Sequence, residues 1–181
     1  DFQGFKFFNM NKVKFFLIGG LLSLATSFAC AQDRPAHELH SMMIYNFLKY
    51  IEWPGAKNSG DFLVGVIGSD DVYNTLNTWY GNKTRGNKNF IIKKVSATDD
   101  LSEFQLVYIG KSGADEFEAI ISKVGNKPIL TVTAKNGFGK KGSCINFKVV
   151  DNRLKFELNQ AAVKKTSLKT SSQLAEMAII I

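Results

Sequence analysis

Short apolar runs alternate with helix-like segments along most of this sequence, and the alternation restricts the fold more than any other feature. Four runs predict strands, at residues 62–68, 90–95, 106–110 and 129–133. Runs that are short and apolar throughout are typical of strands buried on both faces of a sheet. Because helical segments lie between them, we expect a three-layer α/β domain with a mostly parallel sheet and helices on both faces.

The connecting segments carry helix signals of different strength. Ser69 and the two aspartates after it predict the start of a helix that runs to about Tyr80. Residues 115–124 predict a second helix, whereas residues 97–104 predict at best a short helical crossover. The segment 170–172 predicts the cap of a last helix. The apolar side of that last helix is predicted to hold Leu174, Met177, Ala178 and Ile181.

The pattern changes near the end of the chain. Residues 144–150 and 153–158 are two strand-like runs, and only Asp151 and Asn152 separate them. Both turn residues tolerate a positive φ, which predicts an antiparallel hairpin that extends or flanks the parallel sheet. A helical segment is expected to begin at Asn159.

An amphipathic segment precedes all of these strands. Leu39, Met43, Phe47 and Ile51 recur every four residues, which predicts a helix with a wide apolar face. Pro54 disfavours the α conformation at the residue before it, so the helix is predicted to end at Trp53. Its outward-facing groups are expected to be Lys49, Glu52 and Trp53.

The N-terminal region has the composition of a secretory signal peptide. A short basic segment precedes an apolar stretch at residues 15–24, and small residues flank Cys30. A membrane anchor is the alternative, although a spanning helix needs about 20 apolar residues. Lipid attachment at Cys30 is a third interpretation. We therefore expect residues 1–31 to be upstream sequence and signal peptide, and residues 32–181 to be one domain.

Charge and cysteine content limit the function classes. The chain of 181 residues has a net charge of +7, but its lysines are spread singly or in pairs, as on solvated faces, so we expect no nucleic-acid partner. Cleavage of the signal peptide removes Cys30 and leaves Cys144 without a partner for an internal disulfide. Cys144 is then a reactive thiol, one half of an intermolecular bridge, or a small apolar residue in a strand, and its apolar neighbours favour the last.

Residues that could carry chemistry are few. His37 and His40 could offer two imidazoles to a metal, but they lack the His-Glu-x-x-His spacing of zinc proteases, and an exposed helix start is the favoured interpretation. No nucleophile, base and orienting group can be assembled, so we expect no catalytic residues, cofactor or metal. The remaining carboxylate pairs are explained by capping or by solvated loops: Asp70, Asp71, Asp99 and Asp100.

One glycine-rich loop has the letters of a nucleotide-binding motif. Residues 137–142 read Gly-x-Gly-x-x-Gly after a predicted strand. Such a loop binds pyrophosphate because a helix N-terminus follows it, whereas a strand is predicted from Ser143 onward. The sequence therefore favours a mobile glycine loop that leads into the hairpin. Lys140 and Lys141 could still meet an anionic partner there.

Aromatic residues at predicted element ends allow two interpretations. They either anchor a partner or cover the rim of the core, and the sequence does not separate these alternatives. The residues concerned are Trp53, Trp79, Tyr80 and Phe138.

Two stretches also form a recognisable pair of signatures. The opening one holds Tyr45, Asn46, Phe47, Lys49, Tyr50, Trp53 and Pro54; the closing one holds residues 142–147, 153–159, 161–162 and 168–175, including Phe156, Asn159, Ser171 and Leu174. In this order and spacing, over about residues 41–178, they resemble the YfiR-like family of exported bacterial proteins.

The resemblance implies a periplasmic α/β domain, commonly self-associating, that represses a membrane-bound diguanylate cyclase and so acts in cyclic-di-GMP signalling. Some relatives are sensory modules joined to histidine kinases. It also implies partner-binding roles for the motif residues just named. Redox control through a cysteine pair is not carried over, because Cys144 would be alone. Part of the motif is expected to be structural: Asn46 and Asn159 satisfying buried backbone groups, and Phe47, Trp53 and Leu174 in the core.

Three functions follow, in decreasing order of support. The first is an exported non-enzymatic regulator that binds the periplasmic part of a membrane signalling protein. The second is a periplasmic module that binds a small ligand of unknown identity in the crevice at the strand ends and works with a histidine kinase. The third is an enzyme, for which Asp70 or His40 would be the residues to test.

Overall fold

The computed structural model describes residues 34–57, 60–85 and 88–181. The predicted signal peptide, Cys30 and the domain boundary at residues 31 and 32 lie outside the described residues, so they remain predictions. Within the described residues the helices are α1 (Ala36–Phe47), α2 (Asp70–Tyr80), α3 (Phe117–Val124), α4 (Gln160–Lys165) and α5 (Ser172–Met177). The strands are β1 (Ile51–Glu52), β2 (Phe62–Ile67), β3 (Thr84–Arg85), β4 (Lys88–Lys94), β5 (Leu106–Ile109), β6 (Leu130–Thr133), β7 (Ile145–Val150), β8 (Arg153–Leu158), β9 (Lys169–Thr170) and β10 (Ile179–Ile180).

The central sheet of the described residues has the order β10-β8-β7-β6-β5-β2-β4-β3. Strands β4, β2, β5, β6 and β7 run parallel to their neighbours, while β8 pairs antiparallel with β7 and β3 with β4. A mostly parallel sheet with a C-terminal antiparallel hairpin is therefore confirmed. The turn of that hairpin has φ values of 50° at Asp151 and 58° at Asn152, as predicted from the residue types.

Both faces of the sheet are covered by apolar side chains. Leu106 and Tyr108 of β5 point into one buried cluster, to which α1, α2, α4 and α5 contribute. Val107 and Ile109, the alternate residues of the same strand, point into a second cluster with α3. Because successive strand residues face opposite sides, these two clusters are the two interlayer cores of a three-layer domain.

The first helix is shorter than predicted. It ends at Phe47, and residues 48–50 form a turn. Ile51 and Glu52 then pair with Thr170 and Lys169 in the small antiparallel ladder β1·β9. The prediction that Pro54 ends the helix at Trp53 is wrong, because a strand partner more than one hundred residues away takes the backbone hydrogen bonds of this segment instead.

Two other connecting segments differ from their predictions. Residues 97–104 form turns without a helix, and their apolar side chains Leu101 and Phe104 are buried against α3. The last helix is capped by the Ser171 hydroxyl, which accepts the Leu174 N–H at 3.2 Å. Leu174 is buried as predicted, but Met177 is 51% exposed, so its assignment to the apolar side is wrong.

Candidate partner groove and strand-end crevice

The opening signature is divided between the core and the surface. Phe47 and Trp53 are buried, Tyr45 is half-buried, and Asn46 and Lys49 are exposed. The expectation that Trp53 faces outward is therefore wrong. The expectation that Asn46 satisfies a buried backbone group is wrong as well, because Asn46 lies on the solvent side of α1. Exposure is confirmed for Lys49, and also for Glu52 in β1.

Trp53 is fixed by a backbone carbonyl and by an aromatic neighbour. Its indole N–H donates to the Gln105 carbonyl oxygen at 3.0 Å. The Gln105 side chain in turn accepts the Leu63 N–H at 2.8 Å, so it joins the starts of β2 and β5. The Trp53 ring meets Phe62 edge-on at 5.0 Å between centroids. A buried indole with a satisfied N–H positions the chain that follows β1 against the sheet.

An unbroken row of aromatic rings extends from Trp53 along the edge of the sheet where the parallel strands begin. Phe62 stacks on Phe90 at 5.6 Å, and Tyr45 meets Phe90 edge-on at 5.5 Å. Tyr45 also stacks on Tyr80 of α2 at 4.1 Å. The half-buried members of this row, Tyr45, Phe62 and Tyr80, have ring surface near solvent. Such rings combine large contact area with little rotamer entropy, which suits an anchor for a partner.

A groove of about 220 Å³ opens beside this row, at the edge where the parallel strands begin. Most of its wall is apolar, and its charged members are Glu52 and Lys88. The opening-signature residue Trp53 forms part of the wall. We name this feature the motif groove; it is lined by Leu48, Ile51, Glu52, Trp53, Phe62, Lys88 and Phe90.

The closing signature has mainly structural contacts. The Asn159 side chain accepts the Ala162 N–H at 2.8 Å and donates to the Gly139 carbonyl oxygen at 2.8 Å, which confirms that it satisfies backbone groups. Phe156 and Leu174 are buried in the same core as Phe47. These contacts cap a helix, dock the glycine loop and fill the core.

A chain of polar side chains, most of them buried, includes two residues of the same signature, Asn146 and Glu157. The Thr133 hydroxyl donates to the Asn146 side-chain oxygen at 2.7 Å, and the Asn146 amide donates to Glu157 at 2.9 Å. Lys148 completes the chain with an ion pair to Glu157 at 3.1 Å. Burial alone raises the pKa of the Glu157 carboxyl, but the hydrogen bonds from Asn146 and Lys148 outweigh burial, so the pKa is lowered overall. Glu157 is therefore a charged structural group.

A second concave feature lies at the opposite edge of the sheet, where β2 and β5 end. The order of β4, β2, β5, β6 and β7 is that of a doubly wound fold. Its strand order reverses between β2 and β5. Gly68, with φ of 65°, lets the backbone after β2 approach Gly113 closely, since a Cβ there would lie 2.1 Å from the Gly113 nitrogen. The remaining space of about 370 Å³ is the strand-end crevice. Its polar lining includes His37, His40, Ser69, Asp70, Asp71, Tyr108, Lys111 and Ser112.

His40 is a partly buried group of the strand-end crevice whose pKa is strongly shifted. Its Nδ1 lies 3.1 Å from the Tyr108 hydroxyl, and its ring stacks on Phe147 at 4.3 Å. Burial, followed by the charges of His37 and Lys111, lowers the pKa of His40 to about 4. The prediction of an exposed helix start is wrong for His40, because α1 lies across the sheet and carries this ring onto it.

Other candidate groups are explained by local structure. Among the described residues no cluster of three or more His, Cys, Asp or Glu side chains could hold a metal ion. Cys144 is buried, and burial raises the pKa of its thiol, so the apolar interpretation is confirmed. Asp99 and Asp100 are exposed and accept N–H groups of Ser96 and Ser102 within turns.

Aromatic residues at element ends are interpreted from the sequence either as anchors for a partner or as cover for the core. The anchor interpretation is wrong for Phe138, as it is for Trp53. Phe138 is buried and stacks on Phe117 of α3 at 4.0 Å between centroids. Trp79 and Tyr80 are half-buried near the end of α2, which leaves both of their interpretations open. Phe138 is drawn into the core because the glycine loop folds back over α3.

Sequence reasoning missed three residues that build the motif groove region. Phe62 and Phe90 read only as strand residues, and Gln105 lies outside every predicted element and motif. No local pattern distinguishes a strand residue at an open edge from one in the centre. A signal was nevertheless present for Gln105, since a polar residue directly before an apolar strand must find partners if it is buried.

Comparison with models of protein families identifies the family of this chain. A family model described as YfiR/HmsC-like matches residues 37–179, which covers the motif groove, the strand-end crevice and the hairpin. No curated protein matches the chain. None of the helices in the described part of the chain is long and apolar enough to cross a membrane.

Proposed function

The chain belongs to the YfiR/HmsC-like family, and from this premise we propose that it is an exported, non-enzymatic regulator that binds the periplasmic part of a membrane signalling protein. A membrane diguanylate cyclase, held inactive by the bound regulator, is the partner we propose first. Export requires that the N-terminal segment up to residue 31 acts as a cleaved signal peptide. Self-association, as a homodimer, is part of the same proposal.

The motif groove is the observation that carries this proposal. Its wall is apolar, it is small enough to take a single bulky side chain, and three half-buried rings lie beside it. Interfaces between proteins gain most of their energy where one such anchor enters a desolvated pocket. The groove also carries charge of both signs through Lys88 and Glu52, which suits a polar periplasmic segment around the anchor. We propose that a segment of the membrane partner places an apolar side chain in this groove.

Co-purification from membranes tests the proposal. We expect the tagged protein to recover a transmembrane cyclase or kinase, and the Leu48→Asp variant to lose it, because an acidic group in the groove would repel an apolar anchor. Val149→Asp is the matched control, since Val149 is also an apolar side chain and is 66% exposed, but lies at the end of the β7–β8 hairpin.

The possible outcomes test the groove as the contact site and the regulator function separately. Loss of the partner only with Leu48→Asp, at unchanged Tm, supports both. Equal loss with Val149→Asp, or none with either variant, contradicts the groove as the contact. Recovery of only soluble enzymes, or of nothing, contradicts the regulator function itself.

The strand-end crevice favours a second candidate function, a sensory module for a small molecule. Open α/β sheets bind ligands where the strand order reverses, and here that point has a cavity and several polar groups. A thermal-shift screen with periplasmic metabolites tests it, since a ligand at 100 times its Kd adds about 2.7 kcal/mol. Lys111→Ala should abolish the shift, whereas Lys127→Ala, an exposed lysine outside the crevice, should leave it unchanged. A screen without any stabilising compound would contradict this second function.

A further inference from the structure

A third concavity lies apart from both sites already described. It has a volume of about 290 Å³ and is enclosed by the end of α3, the glycine loop and α4. This size is near the lower end of the range for metabolite pockets, roughly 300 Å³ upward. We name it the lysine cavity; it is lined by Ile121, Val124, Gly125, Thr131, Lys140, Lys141, Gly142, Cys144, Asn159, Ala161, Ala162, Lys165 and Thr166.

The charged side chains of the lysine cavity all have one sign. Lys140, Lys141 and Lys165 line it, and none of the described residues that line it is acidic. Lys165 lies in the last turn of α4, where a cation is expected to complement the helix dipole. Lys140 and Lys141 come from the glycine loop; Lys141 forms an exposed ion pair with Glu118, and the charge of Lys140 helps to lower the pKa of the Glu157 carboxyl. The excess of positive charge therefore favours an anion.

The lysine cavity also has an apolar side and an uncharged floor. Ile121 of α3 and Ala162 of α4 belong to its walls, and Thr131 and Cys144 to its floor. The Thr131 hydroxyl accepts the Cys144 N–H at 2.9 Å, so this oxygen is already engaged. Because burial keeps the Cys144 thiol neutral, the floor does not repel an anion. An occupant with an apolar body and an anionic end matches these surfaces.

One lysine of the cavity has a weak competing partner. Lys141 lies 3.5 Å from Glu118, and the two side chains are 57% and 84% exposed. Exposed pairs of this kind contribute about 0 to 1 kcal/mol, so a ligand with several negative oxygens can displace Glu118. Three lysines that line one cavity supply more positive charge than a single carboxylate needs, and they suit a phosphoryl group.

We propose that the lysine cavity binds a phosphate monoester of metabolite size. Lys140, Lys141 and Lys165 contact the phosphoryl oxygens, and the organic part packs against Ile121 and Ala162. The site is independent of the motif groove and of the strand-end crevice, with which it shares no lining residue.

Titration calorimetry with three probes tests this site on the purified protein. Inorganic phosphate, phenyl phosphate and benzoate separate the anionic end from the apolar body. We expect phenyl phosphate to bind at least tenfold tighter than either other probe, and its affinity to fall as salt is added, because the contacts are ionic. The methyl resonances of Ile121 should shift in the same titration.

Matched lysine variants decide whether the binding belongs to this cavity. The double variant Lys140→Ala with Lys165→Ala should weaken phenyl phosphate binding at least tenfold. Lys164→Ala is the control. Lys164 neighbours Lys165 on α4 and is exposed like it, but Lys164 does not line the cavity. Unchanged affinity in the double variant, or no binding of phenyl phosphate to the unaltered protein, would overturn the proposal. Neither result depends on recovery of a membrane partner.

Discussion

The two edges of the parallel sheet differ in what they leave accessible. At the edge where the strands begin, the rings of Trp53, Phe62 and Phe90 line the mostly apolar motif groove, and Tyr45 of α1 packs on Phe90. At the edge where they end, the strand-end crevice is lined by histidine, hydroxyl, carboxylate and lysine groups. The first edge can bury an apolar side chain, and the second can bind and orient a polar ligand.

This difference teaches that signature residues and accessible chemistry are distributed separately. The opening signature contributes a wall of the groove through Trp53, yet Phe62, another ring of that wall, lies outside the signature. The strand-end crevice is built largely by residues that no signature contains. Variants that affect one edge and not the other therefore test the comparison, and the following four are ordered by the size of the expected effect.

The largest effect is expected for Trp53→Ala at the edge with the groove. The substitution removes a buried ring and its hydrogen bond to Gln105, which should cost about 3 to 5 kcal/mol of unfolding free energy. Trp79→Ala is the matched control and should cost much less, because Trp79 is half-buried. Urea unfolding measures both changes. Equal losses would mean that Trp53 is not the anchor of this edge.

The next effect is a pH dependence at the edge with the crevice. The folded-state pKa of His40 is depressed from 6.5 to about 4, so the unfolded state binds the proton more readily. Above about pH 6.5 the His40 ring is neutral in both states and costs no stability. As the pH falls toward 4, protonation of the unfolded state should lower the free energy of unfolding by about 3 kcal/mol. His40→Phe retains the stacking on Phe147 and should reduce that loss, as measured by urea unfolding at several pH values.

His37→Phe is the control for the pH experiment, because it removes the other histidine of the crevice. It should leave most of the acid-induced loss in place. If both histidine variants reduced the loss equally, the burial of His40 would not be its main source.

A smaller effect is expected for the cap of α2. The Ser69 hydroxyl accepts the Val72 N–H at 3.3 Å at the first turn of this helix. Ser69→Ala should lower stability by about 1 kcal/mol, whereas Ser69→Asp, which also caps, should retain it. Thermal unfolding distinguishes the two variants. A loss of equal size in both would point to the crevice, and not to the cap, as the reason for the serine.

The smallest effect is expected for the ion pair between Lys94 and Asp70. Their charged atoms lie 2.8 Å apart, but the side chains are 51% and 78% exposed. Lys94→Ala should therefore change stability by less than about 1 kcal/mol, and salt should reduce even this difference. A large, salt-resistant loss of Tm would show that this rim of the crevice has a greater role in the fold than exposure suggests.

The elements that sequence reasoning located correctly are those set by local rules. The turn at Asp151 and Asn152, the caps at Ser69, Asn159 and Ser171, and the buried strands follow from residue type and spacing. The family signatures were also found in the sequence, and the family match confirms them. The chemistry of these residues acts over a few positions, so neighbours in the chain suffice to reveal it.

The predictions for Trp53 and His40 were wrong because residues far away in the chain determine their surroundings. Trp53 reads as a helix-end aromatic that faces solvent, but Gln105 takes its N–H, and β9 takes the backbone of the residues before it. His40 reads as an exposed helix residue, but α1 carries it onto Tyr108 and Phe147. Hydrogen bonds and burial between segments depend on how elements pack, which local periodicity does not contain.

The sequence by itself determined the layers, the hairpin and the family, because alternating apolar runs, turn residues and caps specify them locally. Only the tertiary structure decided which signature residues are buried, where the motif groove and the strand-end crevice open, and which lysines converge on one cavity. The physical reason is that burial is a property of contacts between elements. Phe62, Phe90 and Trp53 form one surface only after β2, β4 and the chain following β1 are brought together.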